Sequence, residues 1–310
     1  MAGLALGSTR VHAQDVSSPA TFKIRPMPEL FANLDTLGGV HQLAQHTSTP
    51  GTHRYSWYSP LTNLPADWIG AGNLVVQPGS IPSFLVVGAS TGILLLTDRS
   101  TFSASRTFYL RHSFVQHASD AVMHLGDGTS QLGLAAGFGL YGFFAGDTRT
   151  VKTGGEIVEA LLATGITVQL MKRISGRESP QTAVNGLSRW HPFPSFAGYQ
   201  RNQPKYYSFP SGHIATTMAT ITVIMENYPE ATWLKPVGYG VLGAVGVSLV
   251  NVRYHWFSDL PLGILLGYGF GKLAAHHDGS NSADGATDSP VTLHPTIGRE
   301  GAGLAVAWAF

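Results

Sequence analysis

Three short stretches carry side chains that could work together on a phosphate. The first, "MKRISGRESP" (Met171–Pro180), places Lys172, Arg173 and Arg177 where an apolar helix pattern ends in Gly and Pro. Cations there complement the helix dipole. They could equally cradle an anion, lysine as a point charge and arginine as a fork matched to phosphate oxygens. The second, Pro210-Ser211-Gly212-His213, opens another apolar helix pattern. Ser211 is a good N-cap, Gly212 permits close backbone approach, and free N–H groups at a helix start attract anions. Such a turn can be a simple cap, or it can hold phosphate while His213 gives or takes a proton. The third, "VRYHWFSDLPLG" (Val252–Gly263), sets His255 and Asp259 four residues apart. On a helix they share a face. A carboxylate beside imidazole fixes its tautomer and raises its basicity, which makes the other nitrogen a nucleophile. The plainer reading is a buried hydrogen-bonded pair.

Elements must hold these groups. Apolar blocks of helical length run over Pro82–Thr97, Leu132–Gly146, Ile157–Met171, Ile214–Asn227, Val237–Val252 and Leu260–Ala275. A further amphipathic helix is expected near Phe108–Leu125. Ala-, Leu-, Met- and Gly-containing runs of this length favour helix over strand, so the chain is expected to be mainly α. Each chemistry-bearing stretch falls at a helix end. The blocks are shorter than the roughly 20 residues of a membrane span, and two carry acids, Glu159 and Glu226. Buried core helices and spans both fit.

The remaining segments divide as follows. Residues 1–14 read as a possible truncated signal peptide, with "VHA" before Gln14 spaced like a cleavage site. Residues 15–80 read as an irregular arm with short helical turns, 81–275 as the helical domain, 276–290 as a polar linker, and 291–310 as a short β-like tail. His112, Asp120, His124 and Asp127 read as a solvated helix face, and His276-His277-Asp278 as the start of the linker. "SRWHPFPSFAGYQRNQPKYY" (Ser188–Tyr207) is either a substrate-selecting rim or a packed loop.

Composition narrows the classes. The 310 residues carry a net charge of +1, which gives no reason to expect a nucleic-acid partner. Charged residues make up only 12%, about half the share of an ordinary soluble protein. Mean hydropathy is +0.08. The chain has no cysteine, which excludes disulfides and thiolate-held metals.

Basic cluster, Ser-Gly-His turn and His-x-x-x-Asp, in that order, resemble the type-2 phosphatidic acid phosphatase superfamily, which includes bacterial acid phosphatases and vanadium haloperoxidases. The resemblance covers roughly residues 82–275. The family pattern is Lys-x6-Arg-Pro, Pro-Ser-Gly-His and Ser-Arg-x5-His-x3-Asp. Lys172, Pro180, Pro210, Ser211, Gly212, His213, Ser248, His255 and Asp259 match it. Both motif arginines are replaced, by Ser179 and Leu249. Arg177 and Arg253 stand nearby as substitutes.

The resemblance implies a helical bundle of the acid phosphatase and haloperoxidase type. It implies hydrolysis of a phosphomonoester or a lipid phosphate or diphosphate without metal or other cofactor. His255 would attack phosphorus and form a phosphohistidine, Asp259 would orient it, and His213 would protonate the leaving oxygen and then activate water. Lys172, Ser211 and Gly212 would stabilise the transferring oxygens, with Arg177 and Arg253 in place of the lost arginines. Two alternatives stay open: a weakened envelope protein that binds phosphate, favoured by Ser179 and Leu249, and a haloperoxidase using vanadate in the same pocket. The expected partner is a phosphorylated small molecule or lipid, with membrane association. Six-span relatives keep both termini in the cytoplasm, whereas a cleaved signal would put the mature N-terminus outside. Integral and exported forms are both open, and each is read with the site facing the periplasm or the outside of the cell envelope.

Overall fold

The computed structural model describes residues 58–276 fully and, beyond them, the backbone of 291–298 and 301–308. The possible signal peptide, residues 15–57 of the arm and most of the linker lie outside these. The chain is mainly α. In order, the helices are α1 (Ser59–Thr62), α2 (Leu64–Val76), α3 (Ile81–Arg111), α4 (Ser113–Val122), α5 (Gly128–Ala145), α6 (Thr148–Ser175), α7 (Phe196–Arg201), α8 (Gly212–Asn227), α9 (Leu234–Asn251) and α10 (Leu260–Ala275). Strands β1 (Val291–Gly298) and β2 (Gly301–Trp308) form an antiparallel hairpin, with Val291 opposite Trp308. The tail is thus two short strands, as its alternation suggested.

Every apolar block coincides with a helix to within one residue at its end, and several helices outrun their blocks because polar residues carry them on. The Pro82–Thr97 block is only the first part of the 31-residue α3. The expected helix near Phe108–Leu125 is divided instead, since α3 ends at Arg111 and α4 begins at Ser113. In the segment read as an irregular arm, Leu64–Val76 forms a 13-residue helix with proline in its first turn, a position that needs no N–H.

Local chemistry sets the helix ends that matter for the site. Asp147 caps α6, its carboxylate accepting from the N–H groups of Arg149 and Thr150. Gly176, in the left-handed region at φ 54°, stops α6 just after Lys172 and turns the chain toward Arg177. Ser211 caps α8 by accepting from the Ile214 N–H at 3.4 Å.

The core lies where α6, α8 and α10 meet. Ile157, Ala160 and Leu161 of α6 pack with Ala219 and Val223 of α8 and Ala274 of α10. A second cluster joins Ile214 and Met218 to Leu242, Val245 and Leu249 of α9 and Tyr268 of α10. One face of α10 carries Gly263, Gly267 and Gly271. A Cβ at Gly263 would sit 2.7 Å from the Ser211 carbonyl oxygen, and one at Gly267 2.2 Å from that of Ala215. The two helices therefore pack backbone against backbone, which fixes His213 relative to Asp259.

Helix α3 is polarised the other way. The side chains it buries include Ser83 and Asp98, while Leu85, Ile93 and Leu96 face outward, Leu96 at 89% exposure. The stretch Pro78–Arg111 is long and apolar enough to cross a membrane, and none of its most apolar window is buried. Helix α5 behaves similarly, burying Gln131 while Tyr141, Phe143 and Phe144 project outward.

Candidate active site

The three stretches converge at the ends of α6, α8 and α10. Lys172, in the last turn of α6, is 6% exposed. Its Nζ lies 5.0 Å from the Tyr207 ring centroid, and a Cβ added to Gly212 would be 3.6 Å from it. Among the described residues it makes no salt bridge. Burial pushes it down to about 8, against the pull of Asp259.

The start of α8 faces this cation. The Ser211 N–H is taken by the Asp259 carbonyl at 3.0 Å, and that of Ile214 by the Ser211 hydroxyl. The N–H groups of Gly212 and His213 then have no partner within the helix. A buried ammonium beside two such donors is an anion site built from three sides.

His255 and Asp259 are both fully buried. His255 Nδ1 lies 3.4 Å from Asp259 Oδ2, and His255 Nε2 is buried with no hydrogen-bond partner. A buried bare ring nitrogen opposite a carboxylate-held one is the arrangement a nucleophilic histidine needs. Burial lowers His255 while Asp259 pulls the other way, so the ring is neutral at neutral pH. The Asp259 carboxylate is saturated. Its Oδ2 accepts from the Ser208 hydroxyl at 2.6 Å and the Trp256 N–H at 2.8 Å, and its Oδ1 from Arg177 Nη1. Burial alone would raise Asp259, but the Arg177 charge and these donors hold it low.

His213 stands across from His255, ring centroids 6.0 Å apart. Its Nε2 is 2.9 Å from Asp127 Oδ1. Burial first, then His255 and Lys172, push it down to about 4, with Asp127 opposing.

The two substitute arginines are placed differently from the expectation that they contact phosphate. Arg177 is 1% exposed, with its donors committed to protein: Nε to Ser188, Nη1 to Ser258 and Asp259, and Nη2 to Asp98 at 2.6 Å. Trp190 lies against its guanidinium, 4.9 Å from ring centroid to Cζ. Arg253 sits at φ 70° and donates from Nη2 to the carbonyls of Pro180 and Gln181 at 3.0 and 3.2 Å. No described contact joins it to Lys172, His213 or His255. Arg177 therefore braces Asp259, and Arg253 fastens the Pro180 turn. The positions that lost their arginines have become structural. Ser179 is buried and turns the chain with its N–H on the Pro204 carbonyl, and Leu249 packs in the core beside Ile214 and Met218.

Reading by motif missed several residues in contact with the site. Asp98 had one signal, a lone acid ending the apolar run "ILLLTD"; Ser208 and Ser258 had none beyond adjacency to motif residues. Asp127, read as part of a solvated face, lies against His213 instead, because the turn after α4 folds onto α8, whereas His124 is exposed as read and bonds Asp127. His112 and Asp120 do make local contacts, with the Phe108 carbonyl and the Tyr109 hydroxyl. His276 bonds the Lys272 carbonyl and approaches Glu226; His277 and Asp278 lie outside the described residues. The Ser188–Tyr207 loop both packs and lines. Tyr207 stands 6.2 Å from the His255 ring, whereas Phe193 and Phe196 project outward.

Residues 154–281 match the sequence profile of the PAP2 superfamily. That segment, less than half of the chain, is similar to the superfamily. The matched segment contains all three motifs, from Lys172 to Asp259. Sixty-seven residues are 36% identical to a lipid A 1-phosphatase of Porphyromonas gingivalis, covering 21% of this chain and 15% of that protein. The chain thus matches a small part of that relative's length. A transmembrane PAP2-type phosphatidylglycerolphosphate phosphatase of Bacillus subtilis aligns with 62% of this chain and 91% of its own, at 16% identity and a TM-score of 0.40.

Proposed function

We propose that the chain is a phosphatase acting on a phosphomonoester or lipid phosphate through a phosphohistidine on His255. The observation that carries this is the pairing of two groups across one small site: the buried, bare Nε2 of His255, and the ammonium of the buried Lys172, which makes no salt bridge among the described residues and lies beside the open end of α8. Burying such groups is costly unless a ligand supplies the partner.

In the proposed reaction the phosphoryl oxygens rest on Lys172 and the N–H groups of Gly212 and His213, with Ser211 fixing that turn. His255 Nε2 attacks phosphorus while Asp259 holds its Nδ1–H, and the bond to the leaving oxygen breaks. His213 delivers a proton to that oxygen, then takes one from the water that cleaves the phosphohistidine. The free His213 is neutral at pH 7, so its proton comes with a monoanionic substrate, or is taken up as the phosphate charge favours the imidazolium. Positioning and electrostatic stabilisation are sufficient for phosphoryl transfer, and the proposed mechanism needs no metal.

A lipid substrate is supported by the outward apolar faces of α3 and α5 and by Phe193 and Phe196 on the loop that lines the site. We place α3 in a membrane on that basis, with the site at the cell envelope. The test is phosphate release from a chromogenic phosphomonoester, phosphatidate and an isoprenyl diphosphate, with and without chelator, wild type beside His255→Ala. Chelator-insensitive release lost in the variant supports the proposal. Release that survives His255→Ala, or that needs metal, overturns it.

Ser179 and Leu249 favour a second reading. With no arginine free for phosphate, Lys172 is left as the one described side-chain cation at the anion site, and the chain would bind phosphate without turning it over. Phosphate binding by folded protein with no release and no acid-labile phosphoenzyme would select that reading.

A further inference from the structure

Asp127 holds a place in a helix where its carboxylate ought to do something else. It is the N-cap residue of α5, where aspartate ordinarily accepts from the first-turn N–H groups, yet its side chain makes no cap bond. Its Oδ1 lies 2.9 Å from His213 Nε2 and its Oδ2 2.8 Å from His124 Nδ1. The turn that carries it is pressed onto α8. A Cβ at Gly126 would sit 3.0 Å from the His213 Cβ and 2.9 Å from Val245 Cγ1, and the Gly126 carbonyl accepts from the Thr216 hydroxyl at 3.2 Å. Only glycine lets the turn come this close, so the contact between Asp127 and His213 is built in.

We propose that Asp127 is a positioning residue for His213. Its carboxylate holds the proton on Nε2, leaves Nδ1 as the atom that exchanges a proton with the leaving oxygen and with water, and is itself held by His124. The site then has two carboxylate–histidine pairs: Asp259 serves the nucleophile and Asp127 the acid and base. This rests on the phosphatase reading above for its catalytic consequence, though not for the tautomer.

The groups facing His213 are Asp127 and, through it, His124 from the turn after α4, Lys172 from α6, and Tyr254 and His255 from the loop after α9. Asp127 is the one carboxylate among them. Removing it lowers the affinity of His213 for a proton, so the loss of activity should fall on leaving groups that need protonation.

The test compares wild type with Asp127→Ala and Asp127→Asn on an alkyl phosphate and on p-nitrophenyl phosphate, with nitrogen-15 NMR of the imidazoles. Because Asp127 caps nothing and is partly exposed, both variants are expected to keep the wild-type Tm. Asp127→Ala should cut kcat on the alkyl ester about 100-fold, the range of a lost general acid, and on the nitrophenyl ester less than about fivefold. Asp127→Asn, which can still accept from Nε2–H, should fall between. Equal losses on both esters, or none, would overturn the role. The wild-type spectrum should show His213 protonated on Nε2, and Asp127→Ala should mix the tautomers; protonation on Nδ1, or an unchanged spectrum, would overturn the assignment. Were the wild type inactive on every ester, the phosphatase reading would fall and the spectrum alone would decide the contact.

Discussion

A lysine buried without a carboxylate partner is held close to losing its proton, and on the proposed role of Lys172 that makes phosphate binding pH-dependent. With Lys172 at about 8, its charge is present below that pH and is lost as pH rises through it. Inorganic phosphate should therefore inhibit well at neutral pH and weakly above about 8, bound anion moving the loss somewhat upward. Lys172→Arg stays protonated and should flatten that alkaline limb, which a Ki-against-pH series in both proteins would read. At His255, replacement by alanine should abolish both turnover and acid-labile phosphoenzyme, seen by quench and gel. Arg177 makes a different prediction. Arg177→Ala strands the carboxylates of Asp98 and Asp259 in the interior, so a loss of about 3–5 kcal/mol of stability is expected, measured by denaturant unfolding. Arg177→Lys should recover little of it, because one ammonium cannot reproduce a fork shared among Asp98, Ser258 and Asp259. Full stability with altered KM alone would return Arg177 to the phosphate.

At the scale of elements, the alignment of His213 with Asp259 depends on how tightly α8 and α10 pack. Gly267→Ala puts a methyl 2.2 Å from the Ala215 carbonyl, so the helices must separate. The expected cost is about 1–3 kcal/mol, with kcat falling more than KM rises because His213 moves away from the His255 side of the site. A thermal melt beside steady-state kinetics would check it; unchanged kcat with lowered Tm would uncouple the packing from the chemistry. A second element-level link runs through α3. Asp98 reaches inward from an otherwise outward-facing apolar helix to hold Arg177 and the Ser258 hydroxyl. The outward-facing apolar helix is thereby tied to Arg177, which braces the aspartate beside His255.

For the whole molecule, the apolar residues on the outside are too large and too contiguous in α3 to be scattered surface hydrophobes. Replacing Leu85, Ile93 and Leu96 together by serine should reduce binding to lipid vesicles while leaving turnover of a soluble phosphomonoester within about twofold, since none of the three is buried in the core. Vesicle flotation and soluble-substrate kinetics on the same preparation separate the two. Equal flotation of both proteins would remove α3 from the membrane.

The chain's order of residues was enough to reveal some of this and not the rest. Helices were legible because apolar runs with Ala, Leu and Gly have one good backbone solution, and Lys172, His213, His255 and Asp259 were legible because each belongs to a motif whose spacing is local. The extent of α3 was not, since the residues after Thr97 continue it while held by distant partners, Phe102 against Trp256 and Ser105 and Arg106 on Asn251, and neither was the break at His112. The destinations of Arg177 and Arg253 were invisible for another reason. A long cation near a motif can reach inward or sideways, and only the packed neighbours decide: Asp98, 79 residues away, captured the first, and the Pro180 carbonyl, 73 residues away, the second. Asp127 is the sharpest case. In sequence it is an aspartate at a helix start, which ordinarily caps; its partner His213 is 86 residues on. Spacing along the chain determined which groups could do phosphate chemistry, whereas the contacts between distant helices decided which of them meet at one site and which hold the others in place, because burial and pairing are properties of the packed molecule.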